Sequence, residues 1–270
     1  MGIHTFLNIL KKVPTAEKNI LLTNFKEKRV AFDAGILTQS LYSVAHKIVT
    51  NETNLYVEDP DKDKVIGQWI DLIVNHLLKW ITSGVTPIVV FDGTPPPEKE
   101  THARQKRRDE RRKKRIEYEN MLYEARQMNS FDQSPSLLQE LQLKCRALYF
   151  VEPEDVELMK RIIRNMGIPI LQAKSEAEWL CTALYKEGYV SAVFSNDTDN
   201  YALGCQCLLT DFGPNHSDPS GNISYTIIMV DMIEILTHLD LSYSQFVDIC
   251  ILSGCDYNDR VGLILSLIHI

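Results

Sequence analysis

Asp197 and Asp199 stand one residue apart, just beyond an uncharged stretch from Tyr189 to Phe194 that reads as a buried strand. Two carboxylates at that spacing repel, and no Lys or Arg lies within several positions of them. Either solvent or a metal ion must offset the repulsion. Other acids occupy comparable places: Asp33 closes "RVAFD", Asp92 closes "PIVVFD", Glu176 and Glu178 open a helical pattern, and Asp256 follows an amphipathic one. Hard divalent cations such as Mg²⁺ take oxygen ligands and retain much of their water. Two such ions roughly 3.5–4 Å apart can flank a phosphodiester, activating water on one side and stabilising the leaving oxygen on the other. Each acid also has a plainer role. Ser175 and Glu178 fit a capping box, Glu176 in a first helical turn suits the helix dipole, and Asp33 and Asp92 could cap helices. His4, His46, His76, His102, His216, His238 and His269 lack ligand spacing, which argues against zinc.

Convergence of these acids depends on the elements that carry them. Residues 29–33 and 86–92 read as strands, and a strand at 168–171 is expected between helices at 152–167 and 175–188. Ile66, Trp69, Ile70, Ile73, Leu77, Trp80 and Ile81 recur at helical spacing, with Gly84 as the stop. A last helix is expected around "YSQFVDICILSG", and residues 213–224 read as a loop. Strands alternating with helices predict an α/β fold, a mostly parallel central sheet flanked by helices. The carboxyl ends of parallel strands share one edge, so acids more than a hundred residues apart can meet there.

The net charge of −7 conceals an asymmetry. Residues 99–115 hold ten Lys/Arg against three acids, a net of +7, so the rest of the chain carries −14. An acidic protein with one concentrated basic segment fits a polyanion contacted at one place; a solvated helix or an import signal is the plainer reading. The pattern from about 98 to 128 is helical and almost wholly charged, which predicts a helix that is not buried in a core. A second polar helix is expected up to about 147. Six cysteines without a CxxC pair read as reduced core residues of an intracellular chain. "MGIHTFLNILKK" has neither the charge nor the apolar core of a signal peptide, and Phe6 breaks the myristoylation pattern. No apolar run is long enough for a membrane span.

Taken together, "MGI", "VAFDAG", "VVFDGTPPP" with the basic helix after it, "MGIPILQAKSEAEWLCTALYKEG", "SNDTDNYALG" and "LSGCDYN" resemble the structure-specific 5′ nucleases of the flap endonuclease (XPG) type. The resemblance runs from residue 1 to about 257. It implies a PIN-like nuclease domain with a helical arch insertion, divided as 1–97 and 151–257 for the two nuclease halves and 98–150 for the arch. Two Mg²⁺ ions, replaceable by Mn²⁺, would be held by Asp33, Asp92, Glu176, Glu178, Asp197, Asp199 and Asp256. The family's arch supplies a Lys and an Arg to the scissile phosphate. Lys99 matches the first, and the second falls among Lys106, Arg107 and Arg108, with Arg107 taken as the match. Gly2, Arg104, Lys106, Arg108, Arg111 and Arg112 are the implied DNA contacts. The implied substrate is DNA with a 5′ single-stranded end or flap, cut by a monomer in replication, repair or recombination. The implied setting is nuclear in a cell, or a cytoplasmic replication site for a virus.

Some features depart from the family pattern. An aromatic six residues after the first aspartate commonly stacks on a base; here that position is Gln39, and Tyr42 is the nearest aromatic. Residues 258–270, "NDRVGLILSLIHI", do not read as the family's glycine-rich duplex grip, so a truncated or divergent element and weak duplex binding are expected. A clamp-binding tail is not evident. A haloacid dehalogenase-type phosphatase would need its two aspartates and Thr contiguous, whereas "FDGT" and the 197–199 pair are far apart. The remaining alternatives are a non-catalytic nucleic-acid-binding scaffold on the same fold and, within the same chemistry, a PIN-type ribonuclease.

Overall fold

The computed structural model describes residues 10–94, 96, 103–129, 132–148, 150–215 and 224–254, with the backbone alone at 103–107. The chain forms two compact units. The first comprises residues 1–34, 77–99 and 167–270, the second residues 35–76 and 100–166.

Among the described residues, the first unit is built on seven strands: β1 (Glu17–Leu21), β2 (Arg29–Asp33), β3 (Thr86–Phe91), β4 (Ile170–Gln172), β5 (Ala192–Phe194), β6 (Cys207–Pro214) and β7 (Tyr225–Asp231). Their order is β1-β7-β6-β5-β2-β3-β4. The pairs β4–β3, β3–β2, β2–β5 and β5–β6 are parallel, while β7 pairs antiparallel with both β6 and β1. The mostly parallel sheet expected from the sequence is therefore present, with an antiparallel margin on one side. Val30, Ala31 and Phe32 of β2 are fully buried, as a strand covered on both faces requires. On one face Ala31, Val90, Val193 and Leu208 pack with Ala177 and Cys181 of α6 (Ala177–Lys186). On the other face the contacts are aromatic. Trp80 lies edge-on to Phe32 at 4.6 Å between centroids and stacks on Phe212 at 5.4 Å. Such ring pairs stabilise by about 0.5–1.5 kcal/mol beyond area burial.

Two strand predictions need correction. The expected strand from Tyr189 forms only at 192–194. Gly188 takes a left-handed φ of 73°, the chain turns, and Tyr189 is left 58% exposed. The strand placed at 168–171 lies slightly later, at β4.

The second unit is helical. Five residues of π-helix, Ile36–Ser40, run into α1 (Leu41–Glu52), and the indole N–H of Trp69 donates to the Leu37 carbonyl at 2.8 Å. Trp69 lies on α2 (Lys62–Thr82), whose residues 62–76 belong to this unit and 77–82 to the first. Then come α3 (Ala103–Gln127), α4 (Pro135–Arg146) and α5 (Pro153–Asn165). The reciprocal capping box between Glu152 and Asp155 fixes the start of α5. Gln142 of α4, itself buried, donates to the carbonyls of Thr50 at 3.0 Å and Thr53 at 3.2 Å at the end of α1. That contact satisfies carbonyls a helix terminus otherwise leaves open.

The expectation that α3 stays clear of any core holds for only part of it. Tyr118, Leu122 and Ala125 pack with Leu55, Leu141 and Cys145 into a small core. Their spacing gives a narrow apolar stripe that the surrounding charge had masked.

Candidate metal centre

Asp33, at the end of β2, lies in register with Val90 of β3, and Phe32 with Phe194 of β5. The parallel register therefore delivers Asp33, Asp92 and the 195–199 turn to one edge of the sheet. From the neighbouring crossover, Glu178 enters in the first turn of α6. One carboxylate oxygen each from Glu178, Asp197 and Asp199 lies within 4.8 Å of the others, and Glu178 and Asp199 are buried. At an effective dielectric near 20, each such pair of charges repels by about 3–4 kcal/mol. A cation among these oxygens would remove that cost.

A run of hydrogen bonds holds the aspartate turn. The Ser195 hydroxyl donates to Asp33 Oδ2 at 2.8 Å, and Ser195 Oγ accepts from the Asp197 amide at 3.0 Å. Asp197 Oδ1 in turn accepts from the Asp199 amide at 3.1 Å. Beneath them, fully buried Asn200 donates from its side chain to the Asp197 carbonyl at 2.9 Å, and its own oxygen accepts from the Thr182 hydroxyl at 3.1 Å. Ser195, Asn200 and Thr182 escaped the sequence reading. Their only signal was polarity at positions flanking a buried strand and inside a buried helix face.

Asp92 has a second task. Its Oδ1 accepts from the Ala177 amide at 2.8 Å and so caps α6 from another strand. This corrects the capping-box reading of Ser175 and Glu178. Glu176 occupies the N-cap position without a side-chain cap bond of its own, and Glu178 points to the acid cluster. Gly93 explains the "FDGT" motif sterically. A Cβ there would lie 2.1 Å from the Ala173 carbonyl oxygen, a distance no side chain tolerates. The loop before α6 is thereby pressed against the end of β3, with the Thr94 amide donating to the Lys174 carbonyl at 3.2 Å.

Cys181, one turn after Glu178, is fully buried. Burial holds its thiol well above the ordinary value, with Asp33, Glu178 and Asp92 adding to the shift. All five described cysteines are free thiols, four of them buried.

Of the basic candidates, Arg108, Arg111 and Arg112 are exposed on α3, and the Arg111 guanidinium sits 6.0 Å from the centre of the Phe150 ring. Arg104, Lys106 and Arg107 belong to the α3 backbone, but their side chains are not described. Gly2, Lys99 and Asp256 lie outside the described residues. Gln39 is exposed, whereas Tyr42 is buried edge-on against Trp69 at 5.2 Å, so Tyr42 does not replace a stacking aromatic at the surface. Among the described residues no helix is long and apolar enough to cross a membrane.

A parallel sheet whose carboxyl edge gathers acids from β2, β3, the turn after β5 and the start of α6 has the PIN-like nuclease fold. The comparisons with known proteins agree. The XPG N-terminal domain model matches residues 1–115, and the XPG I-region model matches residues 167–256. The chain belongs to the XPG family. It is 31% identical over 264 residues to flap endonuclease 1 of Leishmania major, covering 97% of this chain and 61% of that protein. Against flap endonuclease 1-A of Sorghum bicolor it is 29% identical, covering 97% and 63%. The chain thus spans about three-fifths of the length of these relatives. Among solved structures, the catalytic core of Rad2 in complex with a DNA substrate superposes with a TM-score of 0.64 at 21% identity, over 99% of this chain and 68% of that one. Flap endonuclease-1 of Methanococcus jannaschii gives 0.56 at 22% identity, over 94% and 74%.

Proposed function

We propose that the chain is a divalent-metal-dependent nuclease that hydrolyses DNA phosphodiesters at 5′ flaps and at junctions of single strand with duplex. The observation carrying this reading is the approach of Glu178, Asp197 and Asp199 to within 4.8 Å at the sheet edge that also bears Asp33 and Asp92. An all-carboxylate donor set suits a hard cation, Mg²⁺ or Mn²⁺. Asp33, Asp92, Glu176, Glu178, Asp197, Asp199 and Asp256 are the residues that would hold two such ions. Bound there, the ions would polarise the phosphate and lower the pKa of an attacking water.

The chain's own residues do the rest. Ser195 and Asn200 fix the orientation of Asp197, and through its carboxylate the position of Asp199. Asp92 locks the start of α6, which sets the depth of Glu178. Arg108, Arg111 and Arg112, with Arg104 and Lys106, neutralise backbone phosphates of a single strand. By their match to the family pattern, Lys99 and Arg107 are assigned to the scissile phosphate and Gly2 to a DNA contact. The names of the relatives, flap endonucleases, support the substrate class.

The test is cleavage of 5′-flap, nicked, bubble and single-stranded DNA with Mg²⁺, Mn²⁺ or chelator, mapping each cut. Metal-dependent cuts near the flap junction are expected. DNA binding without cleavage in either metal would identify a scaffold instead.

A further inference from the structure

We infer that the helical unit carries a pocket for one unstacked nucleobase of the substrate's single strand, a site separate from the acid cluster. The inference rests on the nucleic-acid reading above, but the pocket itself is made of residues that reading does not use. A cavity of about 340 Å³ opens among the segment after α1, the start of α2, the middle of α3 and the segment before α5. That is the small end of ligand-pocket sizes. Tyr42, Tyr118, Leu122, Leu148 and Phe150 give it an aromatic and apolar lining. Tyr42 and Tyr118 are buried, whereas Phe150 keeps 45% of its surface exposed.

The polar lining suits a neutral occupant better than a phosphate. Asp59, Glu119 and Glu152 outnumber Lys62 and Arg115. Lys62 is paired with Glu152, and Arg126 holds Asp59 at 2.8 Å. With Arg126 counted, three acids face three cations, so a phosphate would meet no surplus of positive charge. A neutral planar heteroaromatic carrying both donors and acceptors on its edge meets carboxylates and cations that can each answer one of them. The phosphates attached to such a base have their own partners outside the cavity. Arg108, Arg111 and Arg112 project exposed from α3. Arg111 lies over the Phe150 ring, which brings one guanidinium to the pocket mouth. Base within, backbone along the basic helix: the two halves of a nucleotide find chemically matched surfaces in the same unit. Stacking on an aromatic ring is indifferent to base identity, which suits a strand of any sequence.

The experiment is equilibrium binding of the whole chain in chelator, so that no cleavage occurs. The probes are fluorescein-labelled decathymidylate and an abasic sugar-phosphate decamer of equal charge. The unaltered chain should bind decathymidylate more tightly. Phe150→Ala should weaken it about tenfold while moving the abasic decamer by less than about twofold, and Phe150→Tyr should restore affinity. Because Phe150 is half exposed, its truncation leaves the small core in place, and an unchanged melting temperature checks this. A decathymidylate carrying 5-iodouracil should photocrosslink to the peptide containing Phe150. Equal affinity of the unaltered chain for both probes, equal loss on both in Phe150→Ala, or no loss on either would overturn the pocket. Flap cleavage in Mg²⁺, scored separately, would still stand or fall by itself.

Discussion

The two units concentrate charge of opposite sign, and they do so by different means. In the sheet unit, Asp33, Asp92, Glu176, Glu178, Asp197 and Asp199 come from four stretches of chain, and Glu178 meets the Asp197–Asp199 turn within 4.8 Å at the edge where parallel strands end. In the helical unit the basic residues are neighbours in sequence and lie exposed along α3. Gathered acids are held by specific atoms, such as Ser195 Oγ on Asp33 and Asp197. A helical run of arginines needs no such support. The acid edge should therefore respond to single-atom changes, and the basic helix only to the number of charges.

The largest effect is expected at the acids themselves. Asp199→Asn removes one negative oxygen and should lower Mg²⁺-dependent cleavage by several orders of magnitude, with metal-free DNA affinity equal or tighter. Asp92 offers a sharper version, because it also caps α6. Asp92→Asn keeps an acceptor for the Ala177 amide and should lose cleavage with little loss of stability. Asp92→Ala should lose cleavage and about 1 kcal/mol of stability as well. Full activity of Asp199→Asn in Mg²⁺ would remove the metal reading; equal melting of the two Asp92 variants would remove the cap.

Ser195→Ala comes next. It deletes a buried donor between Asp33 and the Asp197 turn without touching a carboxylate. Losses of about 10–100-fold in metal affinity or activity are usual for such supporting groups. The decrease should appear largely as a higher Mg²⁺ requirement, read from a metal titration at fixed substrate. A smaller loss than that of a basic-helix variant would break the contrast between the units.

On the basic helix, Arg112→Lys should bind single strands as the unaltered chain does, whereas Arg112→Glu should weaken binding several-fold. Each lost phosphate contact should flatten the dependence of log K on log salt by about 0.7. If Lys fails at position 112, geometry matters there, and the helix is more specific than a row of charges.

The same contrast governs what could be read from sequence. Asp33 and Asp92 were legible because "VAF" and "IVVF" are uninterrupted apolar runs ending in an acid. α6 was legible because Gly188 closes it and an acid pair opens it. β1 was missed because "EKNIL" alternates exposed and half-exposed residues with no fully buried position. The docking of α3 was missed because Tyr118, Leu122 and Ala125 are a thin stripe in a segment dominated by charge. The cap by Asp92 on Ala177 spans 85 residues. No local pattern encodes a bond of that kind; only the parallel register creates it.

The smallest predicted effect separates the stability of the two units. His46 on α1 is buried, its Nδ1 shares a hydrogen bond of 3.0 Å with the Thr50 hydroxyl, and Arg146 is among the charges acting on it. Burial first, then Arg146, pulls its pKa from 6.5 down to about 4. The folded state thus favours neutral imidazole, while the unfolded chain binds a proton below about 6.5. Stability contributed by this group is fully present above pH 6.5 and is lost as pH falls toward 4. The slope cannot exceed about 1.4 kcal/mol per pH unit for one proton. A neutral side chain of similar size cannot take up that proton, so His46→Gln should flatten the stability profile between pH 4 and 6.5. Hydrogen exchange of α1 and α4 amides should report the change, because Gln142 ties α4 to the end of α1. Amides of β2 and β5 should not follow it. An identical pH profile in the variant, or a shift shared equally by the sheet amides, would show that His46 does not set the acid limit of the helical unit.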